Sequence, residues 1–127
     1  VTLKWGLSQS NNWVTAGLMY QIDPTGTRLT DYLHEFGVAN NQIMPSMALC
    51  LGTCEITVGE MASAYTAFVN KGIRCAPLLV TRIEDSHGNV ITEFAPRMNE
   101  VVSEQTSYKM LDMMMGVIDS GTGGRLL

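Results

Sequence analysis

The spacing of apolar residues along this chain is mostly that of helices. Met61, Ala64, Tyr65, Phe68 and Val69 fall at i, i+3, i+4, i+7 and i+8, which puts them on one helix face. Thr57 and Glu60, just ahead of them, have capping-box spacing: the hydroxyl can reach the backbone N–H at Glu60 while the carboxylate reaches back. Gly72 closes that segment. A second helix is predicted from Thr27 to Phe36, with Leu29, Tyr32, Leu33 and Phe36 on its apolar face, Asp23-Pro24 as punctuation before it and Gly37 at a left-handed C′ position. A third runs from a Ser103 cap to about Asp119, with Leu111, Met114, Met115 and Ile118 as its core stripe and Gly121 as its stop.

Near the start, Thr2 to Leu7 reads as the end of a helix and Ser8-Gln9-Ser10-Asn11 as a polar break. From Asn12 onward, Trp13 to Tyr20 is apolar on most faces, which suits a buried helix capped by Ser10 or Asn11. Only one region has the pattern of strands. Leu78 to Ile83 and Val90 to Phe94 flank the turn residues Asp85-Ser86-His87-Gly88-Asn89, so a hairpin interrupts a mainly α chain. The long stretch from Val38 to about Cys54 contains Ile43, Met44, Met47 and Leu49 and is expected to be packed down rather than free.

Composition narrows the function without naming it. At 127 residues, with 46% hydrophobic and 16% charged positions, the chain suits one globular domain with one core. The net charge is −4 and the eight basic residues are scattered, with no Lys/Arg cluster that could neutralise a run of phosphates, so nucleic acid is not expected as a partner. Val1 stands where a leader would begin with Met and reads as the edge of an excised piece. Cys50, Cys54 and Cys75 are odd in number and lack zinc-ribbon spacing; they are expected to be small buried hydrophobes, although a metal shared by Cys50 and Cys54 is conceivable.

The residues that could carry chemistry are few. Ser10-x-Asn12 places a hydroxyl and a carboxamide at a helix start, in the spacing of the second motif shared by acyl-serine enzymes, although Ser10 could equally be a helix cap. Asp31 and Glu35 are i, i+4 and could be paired carboxylates, but with Thr30 beside them they read as a solvated face, and His34 between them as surface. Met110, Met113, Met114 and Met115 are either a soft partner-binding face or, in the favoured reading, core filling. Gly121-Thr122-Gly123-Gly124 looks like a phosphate-cradling loop, yet it follows a helix instead of opening one.

Order and distance turn these fragments into a resemblance. Leu7-Ser8-Gln9-Ser10-Asn11-Asn12-Trp13-Val14, then Phe36-Gly37, then Ala48-Leu49-Cys50-Leu51-Gly52-Thr53-Cys54-Glu55-Ile56-Thr57 leading into Glu60-Met61-Ala62-Ser63-Ala64-Tyr65, then the hairpin and Gly121-Thr122-Gly123, resemble the transpeptidase domain of class A penicillin-binding proteins over essentially the whole chain. The resemblance implies the helical part of the α+β β-lactamase/transpeptidase-like fold. It also implies a membrane-anchored parent in the bacterial envelope, at the extracytoplasmic face, that cross-links peptidoglycan stem peptides and binds β-lactams, with no cofactor. By the family's roles, Ser10 would belong to the proton relay and Asn12 would hold the donor peptide.

The departures are as specific as the matches. No serine here is followed three residues later by lysine: Ser10 meets Trp13, Ser46 meets Leu49, Ser63 meets Thr66 and Ser103 meets Thr106. Lys-Thr-Gly is also absent; Lys4-Trp5-Gly6 only superficially looks like it and lies on the wrong side of Ser10-x-Asn12. Residues 1–127 are therefore expected to be the piece between the second and third motifs, inactive alone, with apolar helix faces that make it self-associate. The rival expectation is a helical interaction module that keeps the scaffold without the chemistry.

Overall fold

The computed structural model describes residues 1–39 and 42–126. Helices α1 (Leu3–Ser8), α2 (Asn12–Ile22) and α3 (Thr27–Glu35) come first, followed by a 3₁₀ turn at Met47–Leu51 and helix α4 (Val58–Val69). Four short strands follow: β1 (Ile73–Cys75), β2 (Arg82–Glu84), β3 (Val90–Glu93) and β4 (Met98–Glu100). Helix α5 (Glu104–Ser120) and a 3₁₀ turn at Gly124–Leu126 complete the chain.

The caps lie where the sequence puts them. Thr57 Oγ accepts from the Glu60 backbone N–H at 3.2 Å, and the Glu60 carboxylate accepts from the Thr57 N–H at 2.9 Å. That carboxylate also takes the Ala39 N–H at 2.7 Å, so one side chain closes the start of α4 and ties down the chain leaving α3. These donors, with Ala39 first, hold the Glu60 pKa below its ordinary value of 4.5, because they stabilise the charged form. At α3 the cap comes from outside the helix: the N-cap position is Gly26, and the buried Asp23 carboxylate reaches over it to the Leu29 N–H at 2.8 Å.

The expected hairpin is present but its first strand is shorter, beginning at Arg82 and not at Leu78: β2 and β3 pair antiparallel with Arg82 opposite Glu93, and every residue of the ribbon is exposed. A second ribbon was not legible in the sequence. Strand β1 pairs with β4, Ile73 opposite Glu100 and Cys75 opposite Met98, across the whole hairpin. Three-residue strands this far apart carry no alternation long enough to read. Gly72 makes the join: at φ +89 its carbonyl accepts the Val101 N–H, and a Cβ there would overlap the Val102 carbonyl.

The core differs from the predicted stripes. In α4 the buried residues are Ser63 and Ala67, while Met61, Tyr65 and Val69 are exposed. In α5 they are Ser107 and Gly116, while Met115 is 60% exposed. Helix α2, expected to be buried, covers only Met19 and leaves Trp13 89% exposed. Close approach explains the buried set, because small side chains let backbones meet. Ser107 donates to the Phe68 carbonyl at 2.6 Å, and Ser63 to the Cys75 carbonyl at 3.1 Å, so both buried hydroxyls are satisfied. The large apolar faces lie uncovered because nothing among the described residues packs over them. Among the described residues between Val38 and Cys54, Val38 and Leu49 are buried but Met44 is exposed.

Candidate functional site

Four consecutive residues make the turn that carries both candidate side chains. Gln9 is the C-cap of α1, and the next two N–H groups complete a Schellman motif: Ser10 donates to the Leu7 carbonyl at 3.0 Å and Asn11 to the Gly6 carbonyl at 2.9 Å. Ser10 thereby takes the left-handed C′ position, φ +51, where glycine is the usual occupant. Asn11 then caps α2, its Oδ1 accepting from the Val14 N–H at 3.1 Å. Asn12 is the first residue of α2.

This division of labour separates the two readings of Ser10. The capping role belongs to Asn11, so the Ser10 hydroxyl is not the cap. Ser10 and Asn12 are both exposed, and among the described residues neither side chain makes a hydrogen bond. A strained backbone carrying a hydroxyl without a structural task is an arrangement that often marks a functional position. A hydroxyl can donate and accept at once, and a carboxamide offers two donors and an acceptor. Together they can bind a peptide backbone and pass a proton, although neither is ionised and neither is a nucleophile without a base.

The turn is held from two sides. Gly6 lets α2 come close, since a Cβ there would meet Val14 Cγ1 at 2.6 Å. From the far end of the chain, the Thr122 N–H donates to the Ser8 carbonyl at 3.0 Å, and Gln9 Nε2 donates to the Ser120 carbonyl at 3.1 Å. A Cβ on Gly121 would overlap the same Ser8 carbonyl oxygen. The sequence offers no signal for this contact, because its partners lie more than a hundred residues apart (|i−j| = 111 for Gln9 and Ser120).

The other candidates are not drawn into this site. The Thr122 and Gly123 N–H groups are committed to the Ser8 and Val117 carbonyls, so Gly121-Thr122-Gly123-Gly124 has no free cradle for phosphate. Asp31 and Glu35 lie exposed on α3, and His34, also exposed, places Nδ1 3.0 Å from the Val38 carbonyl. Met110 and Met113 line an apolar groove of about 220 Å³ with Leu3, Leu7, Val14 and Leu18, so half of the methionine cluster borders an open space between α1, α2 and α5. The cysteines depart from expectation: all three thiols are free and only half buried, since Cys50 and Cys54 flank the surface turn at Gly52 and Cys75 sits on the β1 ribbon.

Residues 1–126 match the family model described as penicillin binding protein transpeptidase domain. A protein of Aquifex aeolicus named penicillin-binding protein 1A is 32% identical over 127 residues, an alignment that covers 98% of this chain and 17% of the relative. Among solved structures, penicillin-binding protein 1A from Haemophilus influenzae superposes with a TM-score of 0.87 at 22% identity, covering 98% of this chain and 24% of that one. Penicillin binding protein 3 from Mycobacterium tuberculosis, complexed with aztreonam, gives a TM-score of 0.79 at 24% identity, covering 97% of this chain and 32% of that one. At these identities the structural likeness establishes the fold.

Proposed function

The chain belongs to the penicillin-binding protein transpeptidase domain family, and from that premise we propose that it is the helical part of a peptidoglycan D,D-transpeptidase. It spans about a sixth of the relative it matches, 17% of that length, so the proposal concerns a parent protein whose Ser-x-x-Lys and Lys-Thr-Gly motifs lie outside residues 1–127. The reaction is acyl transfer. A serine oxygen attacks the carbonyl carbon of the D-alanyl-D-alanine bond, the C–N bond breaks, and the serine proton ends on the departing amine. An amine from a neighbouring strand then attacks the ester, the C–O bond breaks, and the proton returns to the serine oxygen. Splitting the transfer in this way replaces one difficult step by two easier ones.

Ser10 is the relay in this reading. Its hydroxyl accepts one proton while donating another, so it moves charge between base and leaving amine without ionising. Asn12 is the clamp, its carboxamide reading the donor peptide's backbone. The observation that carries the proposal is the free, exposed pair on a turn whose capping task is already taken by Asn11. A bacterial envelope location and β-lactam binding belong to the same proposal, supported by the complex of the M. tuberculosis relative with aztreonam. Among the described residues no helix is long and apolar enough to cross a membrane, so an anchor would be supplied by other sequence.

Labelling with a fluorescent penicillin tests the assignment in the full-length gene product. Wild type should acylate, and Ser10→Ala should slow acylation by about a hundredfold or more, the range of lost general acid–base assistance, with an unchanged melting curve. Label attached to Ser10 itself, or a Ser10→Ala variant that acylates at the wild-type rate, would overturn the roles. A wild-type protein that takes no label would leave the interaction-module reading.

A further inference from the structure

We propose that Gln9, Gly121 and Thr122 are positioning residues for the acyl transfer, acting through the α1–α2 turn on Ser10 and Asn12. This rests on the reading of Ser10 and Asn12 given above. Ser8 and Gln9 close α1 immediately before Ser10, and both are fastened to the end of α5: Thr122 N–H to the Ser8 carbonyl at 3.0 Å and Gln9 Nε2 to the Ser120 carbonyl at 3.1 Å. Ser8 is buried, and its own hydroxyl donates to the Trp5 carbonyl at 3.0 Å, so both its side chain and its carbonyl are engaged.

Gly121 is required by the fit. Its φ of −119 is one any residue adopts, so backbone freedom is not the reason for glycine. Contact is the reason, because a Cβ would overlap the Ser8 carbonyl oxygen and lie 2.9 Å from the Val117 carbonyl. Relief of that overlap would displace Ser8 from Thr122 and shift the next turn residue, Ser10, with it. The left-handed Ser10 backbone depends on the Schellman bonds that start from the same α1 end, so a shift there changes where the hydroxyl points. In an acyl-transfer site a displacement of about 1 Å can cost on the order of a hundredfold in rate.

The Gly123 N–H donates to the Val117 carbonyl at 2.9 Å, and the chain then runs through Gly124–Leu126 directly from the Ser8 contact.

The test uses the full-length protein and separates two rate terms, reversible penicillin affinity and the first-order acylation step. Gly121→Ala should slow the acylation step by about a hundredfold, on the same geometric ground. Gln9→Met keeps the side-chain volume but loses the donor, and should slow it about fivefold, the worth of one modest hydrogen bond. Reversible affinity should stay within about twofold of wild type, as a pure positioning effect requires. Lys4→Met is the control: it breaks the 2.8 Å Lys4–Asp112 pair on the same α1–α5 interface, away from the turn, and should leave acylation unchanged. Should Gly121→Ala fail to fold, Gln9→Met and the control decide the matter. Wild-type acylation in Gln9→Met, or an equal slowing in Lys4→Met, would overturn the proposal. Failure of the underlying reading is recognised separately, by a Ser10→Ala variant with wild-type acylation.

Discussion

Replacing Ser10 with glycine should stabilise the fold while removing function, and the magnitude can be worked from the turn. Ser10 sits at φ +51, where an L-residue loses about 1–2 kcal/mol relative to its preferred regions. Glycine relieves that strain but gives up about 0.5–1 kcal/mol through its freer unfolded chain. The hydroxyl makes no hydrogen bond among the described residues, so its removal adds nothing to the loss. The net is a gain of about 0.5–1 kcal/mol, or roughly 2–4 °C in melting midpoint for a domain of this size. Urea and thermal unfolding followed by circular dichroism would measure it, with Ser10→Ala as the partner variant. Alanine keeps the Cβ and hence the strain, so its midpoint should match wild type. A Ser10→Gly variant less stable than wild type by more than about 0.5 kcal/mol would refute the strain argument, as would identical shifts for glycine and alanine, since the alanine shift isolates the hydroxyl alone.

Thr57→Ala should lower stability by about 1 kcal/mol, because it removes the acceptor for the Glu60 N–H at 3.2 Å; an unchanged urea midpoint would show that the capping box is not formed in solution. Glu60 sets a pH dependence whose sign follows from its lowered pKa. A carboxylate with a depressed folded value contributes stability above its ordinary 4.5, and that contribution is lost as pH falls through the lower folded value. Unfolding midpoints measured from pH 6 downward should therefore decline less steeply in Glu60→Gln than in wild type, and parallel slopes would contradict the assignment. The uncovered faces around Trp13, Tyr65 and Met115 should make the isolated chain self-associate, so gel filtration giving a monomer at all concentrations would count against it.

Legibility in the sequence tracked the range of the interaction responsible. The capping box at Thr57 and Glu60, the Ser103 cap of α5 and the left-handed Gly37 each depend on neighbours within a few residues, and each lies where the local pattern puts it. The β2–β3 hairpin was legible for the same reason, its turn being built by Asp85, whose carboxylate accepts the His87 and Asn89 N–H groups at 2.8 and 2.9 Å. Burial was misjudged where it depended on distant partners. The period of Met61, Tyr65 and Val69 marked an apolar face correctly, but what presses on α4 is β1 and α5, and these meet the small residues Ser63 and Ala67.

For the site, sequence alone determined the identities and the local frame: a hydroxyl and a carboxamide two residues apart, at the start of a helix, with a competent cap between them. The Asn11 cap and the left-handed Ser10 come from bonds local to the turn, whereas only the tertiary structure decided that Gly121 and Thr122 are pressed against that turn from the other end of the chain. The physical reason is the range of the bonds involved. A cap or a turn is fixed by hydrogen bonds that close within one chain segment, whereas the orientation of a side chain toward a cleft is fixed by backbones that meet only after the chain has folded over itself.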